Sequence, residues 1–487
     1  MNGSEIKYLS PRELPHAVEA LRDSGGRVQF AYAWKPDNTK LELRYVSAIP
    51  GQHAFETWIV PAAGELPSLA PLFPLLGWYE REMMDLQGLT FTGHPEPFPL
   101  VMRNNTPLAE GNGKTQRPTN GRPHLPDIEA TDVQQLPFGP IRADVLESAE
   151  FTFFYVGEHI IHYQPHLFFK HRGMESCFEG HDCTRAVVTA ERVSGVGSVA
   201  HALAYCEAVE RAAGCEVPVR ARALRVLLAE MERLYNHLHY LGHLCHTTTL
   251  KVGEAQGKFL EEAAKQLNAR LTGSRFLRGL LIPGGLRRDL EPGKWLSDAL
   301  EKLREEFATY VQRLEKSESH LDRLITTGLL PKRVAFDQGA TGPVERASGL
   351  DRDLRRDHAY AHYEGLPLTV PTFKEGDAYA RERVRFAEIE TSFVLCQRIL
   401  LLLKTGSVRA ACEPTPLSEG LGWAEGPRGS LFYAVHVGAD GRLARVKIKS
   451  PSFSNWRAFP FTVHDTNMMD YAINEASFGL TMAGCDR

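Results

Sequence analysis

The chain has 487 residues, 43% hydrophobic and 24% charged, with a formal net charge of -4. That length suffices for two or three domains and a sizeable core, and the composition excludes a disordered or fibrous chain. The near balance of charge leaves no electrostatic footprint for nucleic acid or an anionic membrane surface.

Met1-Asn-Gly-Ser-Glu carries neither the basic nor the apolar region of a signal peptide. No apolar run approaches the roughly 20 residues that cross a bilayer. The expectation is a chain that reaches any membrane only through partners. Eight cysteines (Cys177, Cys183, Cys206, Cys215, Cys245, Cys396, Cys412 and Cys485) are scattered without a CxxC pair, so reduced thiols in a cytoplasmic compartment are expected.

Residues 1–100 read as an α+β domain. Val28–Trp34 and Leu41–Val46 alternate like paired strands, Thr57–Val60 offers a third, and a helix over Trp78–Gln87 stops at Gly88. Residues 101–135 are dense in Gly, Pro and Asn without periodicity and read as a linker. From 136 to 487 a second, mainly α-helical domain with a small β portion is expected. It opens on strands Glu150–Val156 and His159–Tyr163, joined by a Gly157-Glu158 turn. Apolar spacing of i, i+3, i+4 predicts helices over His201–Ala213, Val219–Cys245, Ala255–Leu271, Lys294–Leu324 and Asp377–Leu403.

Gly77-Trp78-Tyr-Glu80-Arg81-Glu82-Met-Met-Asp85-Leu-Gln-Gly88, followed by Gly93-His94-Pro95, resembles the signature of the 30-kDa subunit of complex I and its hydrogenase counterpart. Further on come Pro137-Phe-Gly139-Pro140, Lys170-His171-Arg172-Gly173-Met174-Glu175, Gly284-Gly285-Leu-Arg-Arg288-Asp289, Gly342-Pro-Val-Glu-Arg346, Glu425-Gly-Pro427-Arg428-Gly429 and Asn455-Trp456. In that order they resemble the large subunit of a formate hydrogenlyase-type (group 4) [NiFe]-hydrogenase and the homologous 49-kDa subunit of complex I. The fusion of both parts is also similar to the formate hydrogenlyase type.

The family's nickel ligands are four cysteines in two CxxC half-sites. Their positions fall here on Ser194, Gly197, Thr481 and Gly484. Two hydroxyls and two bare α-carbons do not replace four soft thiolates. Cys485 lies one residue past the expected position. The resemblance therefore implies a large subunit without a nickel–iron centre and without hydrogenase activity. The quinone-binding histidine and tyrosine of the complex I branch are missing too, at Arg142 and Gly195, so that branch's proton-donating chemistry is not expected either.

Arg172, Glu175, Arg192 and Arg428 remain, and family geometry would gather them near one cavity. Two readings stay open: an altered redox or anion-binding pocket, or a vestigial salt-bridge network that holds the frame. No cofactor bound directly and no metal site are expected, with a [4Fe-4S] cluster in a partner subunit. The expected partners are an iron–sulfur small subunit and integral membrane antiporter-like subunits, in a hetero-oligomer at the cytoplasmic face of the cell membrane. The function so implied couples electron transfer to ion translocation. The alternatives are a scaffold without redox substrate, or a reductase of quinone or a sulfur compound.

Three other patterns fall short of a site. Ala186–Thr189 followed by Gly195-Val-Gly197-Ser-Val-Ala200 imitates a strand and dinucleotide-binding glycines, but Ala190–Ser194 intervenes. His239, His243 and His246 share one helical face, and His171, Cys177, His181 and Cys183 share one loop. Neither group has four ligands at a known zinc spacing.

Overall fold

The computed structural model describes residues 3–36, 40–101, 125, 130, 132–142 and 147–487. The expected linker lies almost wholly outside the described residues.

The N-terminal part is a four-stranded sheet of β1 (Ser4–Tyr8), β2 (Arg27–Trp34), β3 (Glu42–Ala48) and β4 (Phe55–Pro61). The strand order is β1-β4-β3-β2, with β1 parallel to β4 and the other pairs antiparallel. Helix α1 (Leu14–Asp23) follows β1, and α2 (Leu76–Gln87) follows the sheet and ends on Gly88 in the left-handed region. Strand β2 is buried at nearly every position, so both of its faces are covered.

The cover comes from the far end of the chain. Strands β8 (Glu419–Gly426), β9 (Gly429–Val437) and β10 (Leu443–Lys449) form an antiparallel sheet. Phe30 packs tilted and Phe55 edge-on against Phe432 at 5.6 and 5.2 Å, and Trp34 stacks on His436 at 4.4 Å. The two parts expected from the sequence therefore share one continuous apolar core.

A third sheet holds β5 (Gln134–Phe138), β6 (Glu150–Val156) and β7 (His159–His166), with the short β11 (Thr466–Asn467) on its edge. Val156 pairs with His159 across the turn, as the hairpin reading requires. The helices then follow: α3 (Val187–Val193), α4 (Ser198–Ala213), α5 (Val219–Thr247), α6 (Lys251–Thr272), α7 (Gly293–Leu314), α8 (Glu318–Leu324) and α9 (Ala378–Leu402). The predicted helix over Lys294–Leu324 is thus two, broken where Ser317 leaves the helical region. Because α3 is a helix, no strand precedes the glycines at 195 and 197. No helix of the described residues is long and apolar enough to cross a membrane.

Helix α4 shows how small residues set the position of the site. Ala204 and Ala208 lie one turn apart and face strand β8 at its glycines. A Cβ on Gly422 would lie 2.1 Å from the Ala204 carbonyl oxygen, and one on Gly420 2.0 Å from that of Ala208. Only glycine permits this approach of strand to helix. It carries the β8–β9 turn, Pro427-Arg428, over the N-terminus of α4.

Candidate functional site

A cavity of about 30 Å³ lies beneath that turn, and all four expected ligand positions line it: Ser194, Gly197, Thr481 and Gly484, together with Arg428 and His201. Ser194 follows the last turn of α3, and Gly197 is the residue before α4. Thr481 caps α10 (Met482–Asp486), which contains Gly484. Each half-site is therefore a helix terminus, and the fold brings together two runs that lie far apart in the chain.

Hydrogen bonds close the site. Thr481 Oγ1 accepts from the Gly484 amide at 3.2 Å and lies 3.2 Å from Ser452 Oγ. Ser450 Oγ donates to the Gly484 carbonyl. Glu147 accepts from the Met482 and Ala483 amides at the start of α10, the latter at 3.1 Å. Glu232 accepts from Val199 and Ala200 at the start of α4, at 2.7 and 2.9 Å. Burial pushes the Glu232 carboxyl up to about 7, against those two donors and the nearby Arg428.

Arg428 donates from Nε to the Gly479 carbonyl at 2.7 Å and from Nη1 to Asn236 Oδ1 at 3.0 Å. No ion pair joins it to a carboxylate of the described residues. Burial, with Arg385 close by, pulls its pKa down to about 10. His201 holds Nδ1 2.9 Å from the Tyr433 hydroxyl, and burial pushes it down to about 3, so its ring is neutral.

The other residues singled out from the sequence do not line this cavity. Arg172 is exposed and laces the two half-sites from outside. It donates to the carbonyls of Arg192 and Val193, beside Ser194, and of Ala483, beside Gly484, at 2.6–3.1 Å. Arg192 is exposed and donates to Val188 within its own helix. Glu175 belongs to a buried cluster with Lys447, Arg487 and Arg445 at 3.0, 3.3 and 3.1 Å. Burial pushes Glu175 up, but the three cations outweigh it and hold its carboxyl at about 2. Glu82 of α2 joins the same cluster through Lys447 at 2.6 Å and Arg487 at 2.9 Å, so it ties the N-terminal part to the C-terminal one. Cys485 is fully buried beside Asp486, and burial holds its thiol well above the usual range.

The residues present do not fit a dinuclear nickel–iron group. The four positions supply no thiolate. A volume of about 30 Å³, against the roughly 10–15 Å³ that one water needs, is room for a few small atoms. A Cβ on Gly484 would lie 2.7 Å from Thr481 Oγ1, so a longer side chain there must displace a wall. What the arrangement can do is hold a small polar or anionic group between hydroxyls, a neutral imidazole and a guanidinium that makes no ion pair among the described residues.

Arg142 forms a forked pair with Glu475 at 3.0 and 3.1 Å over the Phe151 ring, so its charge is engaged in packing. His239 and His246 pair with Glu261 and Glu254, each at 3.0 Å. No three metal-binding side chains converge among the described residues. Sequence reasoning passed over Ser450, Ser452, Glu147 and Glu232. The serines precede Asn455-Trp456 but carry no spacing of their own that marks them.

Comparison with known proteins gives the family. The family described as the 49 Kd subunit of respiratory-chain NADH dehydrogenase matches residues 260–420 and 412–487, and that of the 30 Kd subunit matches 8–116. The nickel-dependent hydrogenase family matches 172–272. Formate hydrogenlyase subunit 5 of Escherichia coli is 31% identical over 83% of this chain and 74% of its own length. Hydrogenase-4 component G of the same organism is 30% identical over 91% and 82%. The C/D subunit of NADH-quinone oxidoreductase from Cereibacter sphaeroides is 28% identical over 87% and 82%. A chain from the structure of the membrane-bound sulfane sulfur reductase, an archaeal respiratory membrane complex, superposes with a TM-score of 0.69 at 25% identity, over 74% of this chain and all of that one. The chain belongs to the large-subunit family of complex I-like and hydrogenase-like oxidoreductases, in the form that fuses the 30-kDa and 49-kDa parts.

Proposed function

We infer that this chain is the large subunit of a membrane-associated oxidoreductase complex and works there without a nickel–iron centre. It would dock an iron–sulfur small subunit, with a [4Fe-4S] cluster in that partner, against integral membrane subunits at the cytoplasmic face. Its part would be to couple electron transfer to ion translocation, with a substrate other than hydrogen. The observation that carries the reading is the cavity itself. Ser194, Gly197, Thr481 and Gly484, the positions that the resemblance assigns to the family's four ligands, line one cavity, and Arg428 faces them without an ion pair among the described residues. Relatives named as subunits of formate hydrogenlyase and NADH-quinone oxidoreductase, and a neighbour from an archaeal respiratory membrane complex, support the assembly.

Purification of the complex with its partners tests this. Metal analysis should find iron in the small subunit and no stoichiometric nickel, with no hydrogen evolution. Stoichiometric nickel or hydrogen evolution would overturn it. Whether the cavity is chemical or only structural is read from Arg428→Met. Loss of turnover with intact assembly supports a reacting or anion-binding pocket, and a sulfur compound is the acceptor to try first, given the sulfane sulfur reductase neighbour. Unchanged turnover supports a scaffold.

A further inference from the structure

A second cleft, of about 560 Å³, opens between α2 with the loop after it and the hairpin strand β7 with the residues around Phe461. None of its lining residues takes part in the Ser194 cavity. One wall is aromatic and proline-rich, built on Trp78, Phe98, Phe168 and Phe461, with Phe461 half exposed at 49%. The volume lies within the range of sites for small organic molecules, roughly 300–1,000 Å³.

Its polar groups are unfinished. Arg457 lines the cleft, stacks over the Trp78 ring at 5.2 Å and donates to Gln338 Oε1 at 3.1 Å. It makes no ion pair with a carboxylate of the described residues, although the Glu96 carboxylate of the same wall attracts it, and its Nε is buried without a partner among the described residues. The burial that isolates it also pulls its pKa down to about 10. His162 lines the same cleft with Nε2 buried and unpartnered among the described residues, its ring 5.3 Å from that of His464. Arg81, also in the wall, has its donors taken by the carbonyls of Phe98 and Pro99 and by Glu96. A half-buried guanidinium that makes no ion pair is costly to desolvate, as is a buried donor without an acceptor. Both costs fall at one place, next to flat apolar walls.

We propose that this cleft binds a small organic anion with a flat apolar body, its charged group on Arg457 and its body against Trp78 and Phe461. A guanidinium recognises a carboxylate, sulfonate or phosphate oxygen pair by its fork of donors. Aromatic faces supply affinity for a ring at little entropic cost.

The probe is 1-anilinonaphthalene-8-sulfonate, followed by fluorescence with the full chain. One saturable site is expected. Naphthalene-2-carboxylate should displace the dye at least about tenfold better than the uncharged naphthalene-2-methanol, a difference of about 1.4 kcal/mol. Arg457→Met should weaken binding by a similar factor. Phe461→Ser, at a half-exposed position outside any buried polar network, should weaken it severalfold with unchanged melting. Arg356→Met, in a different cleft, should leave it unchanged. Equal competition by acid and alcohol overturns the proposal, and so does a dye site that Phe461→Ser leaves untouched. The competition arm needs no variant, so a poorly folding Arg457→Met does not shelter the idea.

Discussion

Glu388→Gln should be among the most damaging single-atom changes in this protein. Glu388 lies on α9, fully buried, and accepts from Arg346 Nε and Nη2 at 3.1 and 2.5 Å, from His237 Nε2 at 2.9 Å and from Arg233 Nη1 at 3.4 Å. Around it Arg233, Arg346 and Arg355 face Glu230, Asp353, Glu388 and Glu425, every one of them buried. Burial pushes Glu388 up, but Arg346, His237 and Arg233 prevail and hold it well below the usual carboxylate range. Glutamine keeps the shape, removes the charge and turns an amide N–H₂ toward guanidinium donors. Removing one partner of a buried ion pair costs about 3–5 kcal/mol. At about 2.1 cal/mol/K per residue, unfolding 487 residues carries roughly 1 kcal/mol/K of entropy, so the midpoint should fall by about 3–5 °C. Calorimetry on the purified chain measures it. The double variant Glu388→Gln/Arg346→Met removes charge from both sides and should fall by less than the sum of the singles. A shift within about 1 °C for Glu388→Gln, or additive losses in the double variant, would refute the account of the network.

Three further changes probe other parts. Gly422→Ala places a Cβ 2.1 Å from the Ala204 carbonyl oxygen and 2.4 Å from the Ala208 nitrogen, so overpacking of about 1–3 kcal/mol or more is expected in thermal melts, and an unchanged melt would contradict the close approach of β8 to α4. Glu82→Ala leaves Lys447 and Arg487 short of a buried carboxylate. Faster proteolytic cleavage near α2 is expected at a stability loss of about 3 kcal/mol, and an unchanged digestion pattern would deny the tie between the two parts. Lys449 is buried with only Ser430 as acceptor among the described residues, and burial pulls it down to about 7 from 10.5. Between those values the unfolded chain holds a proton that the folded one has released, so wild-type stability rises with pH there. Lys449→Met should flatten that rise in denaturant titrations from pH 7 to 10, and an equal slope in both proteins would exclude Lys449 as its source.

Much of the fold can be read from the chain where periodicity is local. The hairpin at Gly157-Glu158 and helix α5, read over Val219–Cys245 and found over Val219–Thr247, lie where the pattern puts them. The β8–β10 sheet leaves no such trace. Its strands are covered on both faces, and β8, Glu-Gly-Leu-Gly-Trp-Ala-Glu-Gly, has glycines where a helix needs room, so no alternation shows. Ala186–Thr189 resembles a strand because two valines sit together, yet it opens α3. Ser194, Gly197, Thr481 and Gly484, singled out by the resemblance, do meet at one cavity, each half-site being a short run at a helix terminus. The place of Glu175 is not legible in the chain, since its partners Arg445, Lys447 and Arg487 come from 270 or more residues away. Nothing within the Lys170–Glu175 run says that its carboxylate turns toward them instead of toward Arg428.

The hydrogen bonds that close the Ser194 cavity have a practical meaning. Thr481 with Ser452, Ser450 with Gly484, and Glu147 with the start of α10 staple the two half-sites by groups the ribosome supplies. Each of these staples is a hydrogen bond between protein groups of the described residues. On the function proposed above, these bonds should hold the two half-sites together in the presence of chelators, which a thermal melt with and without chelator would read. On that same proposal, the frame is a scaffold into which thiolates can be introduced at Ser194, Gly197, Thr481 and Gly484 one at a time.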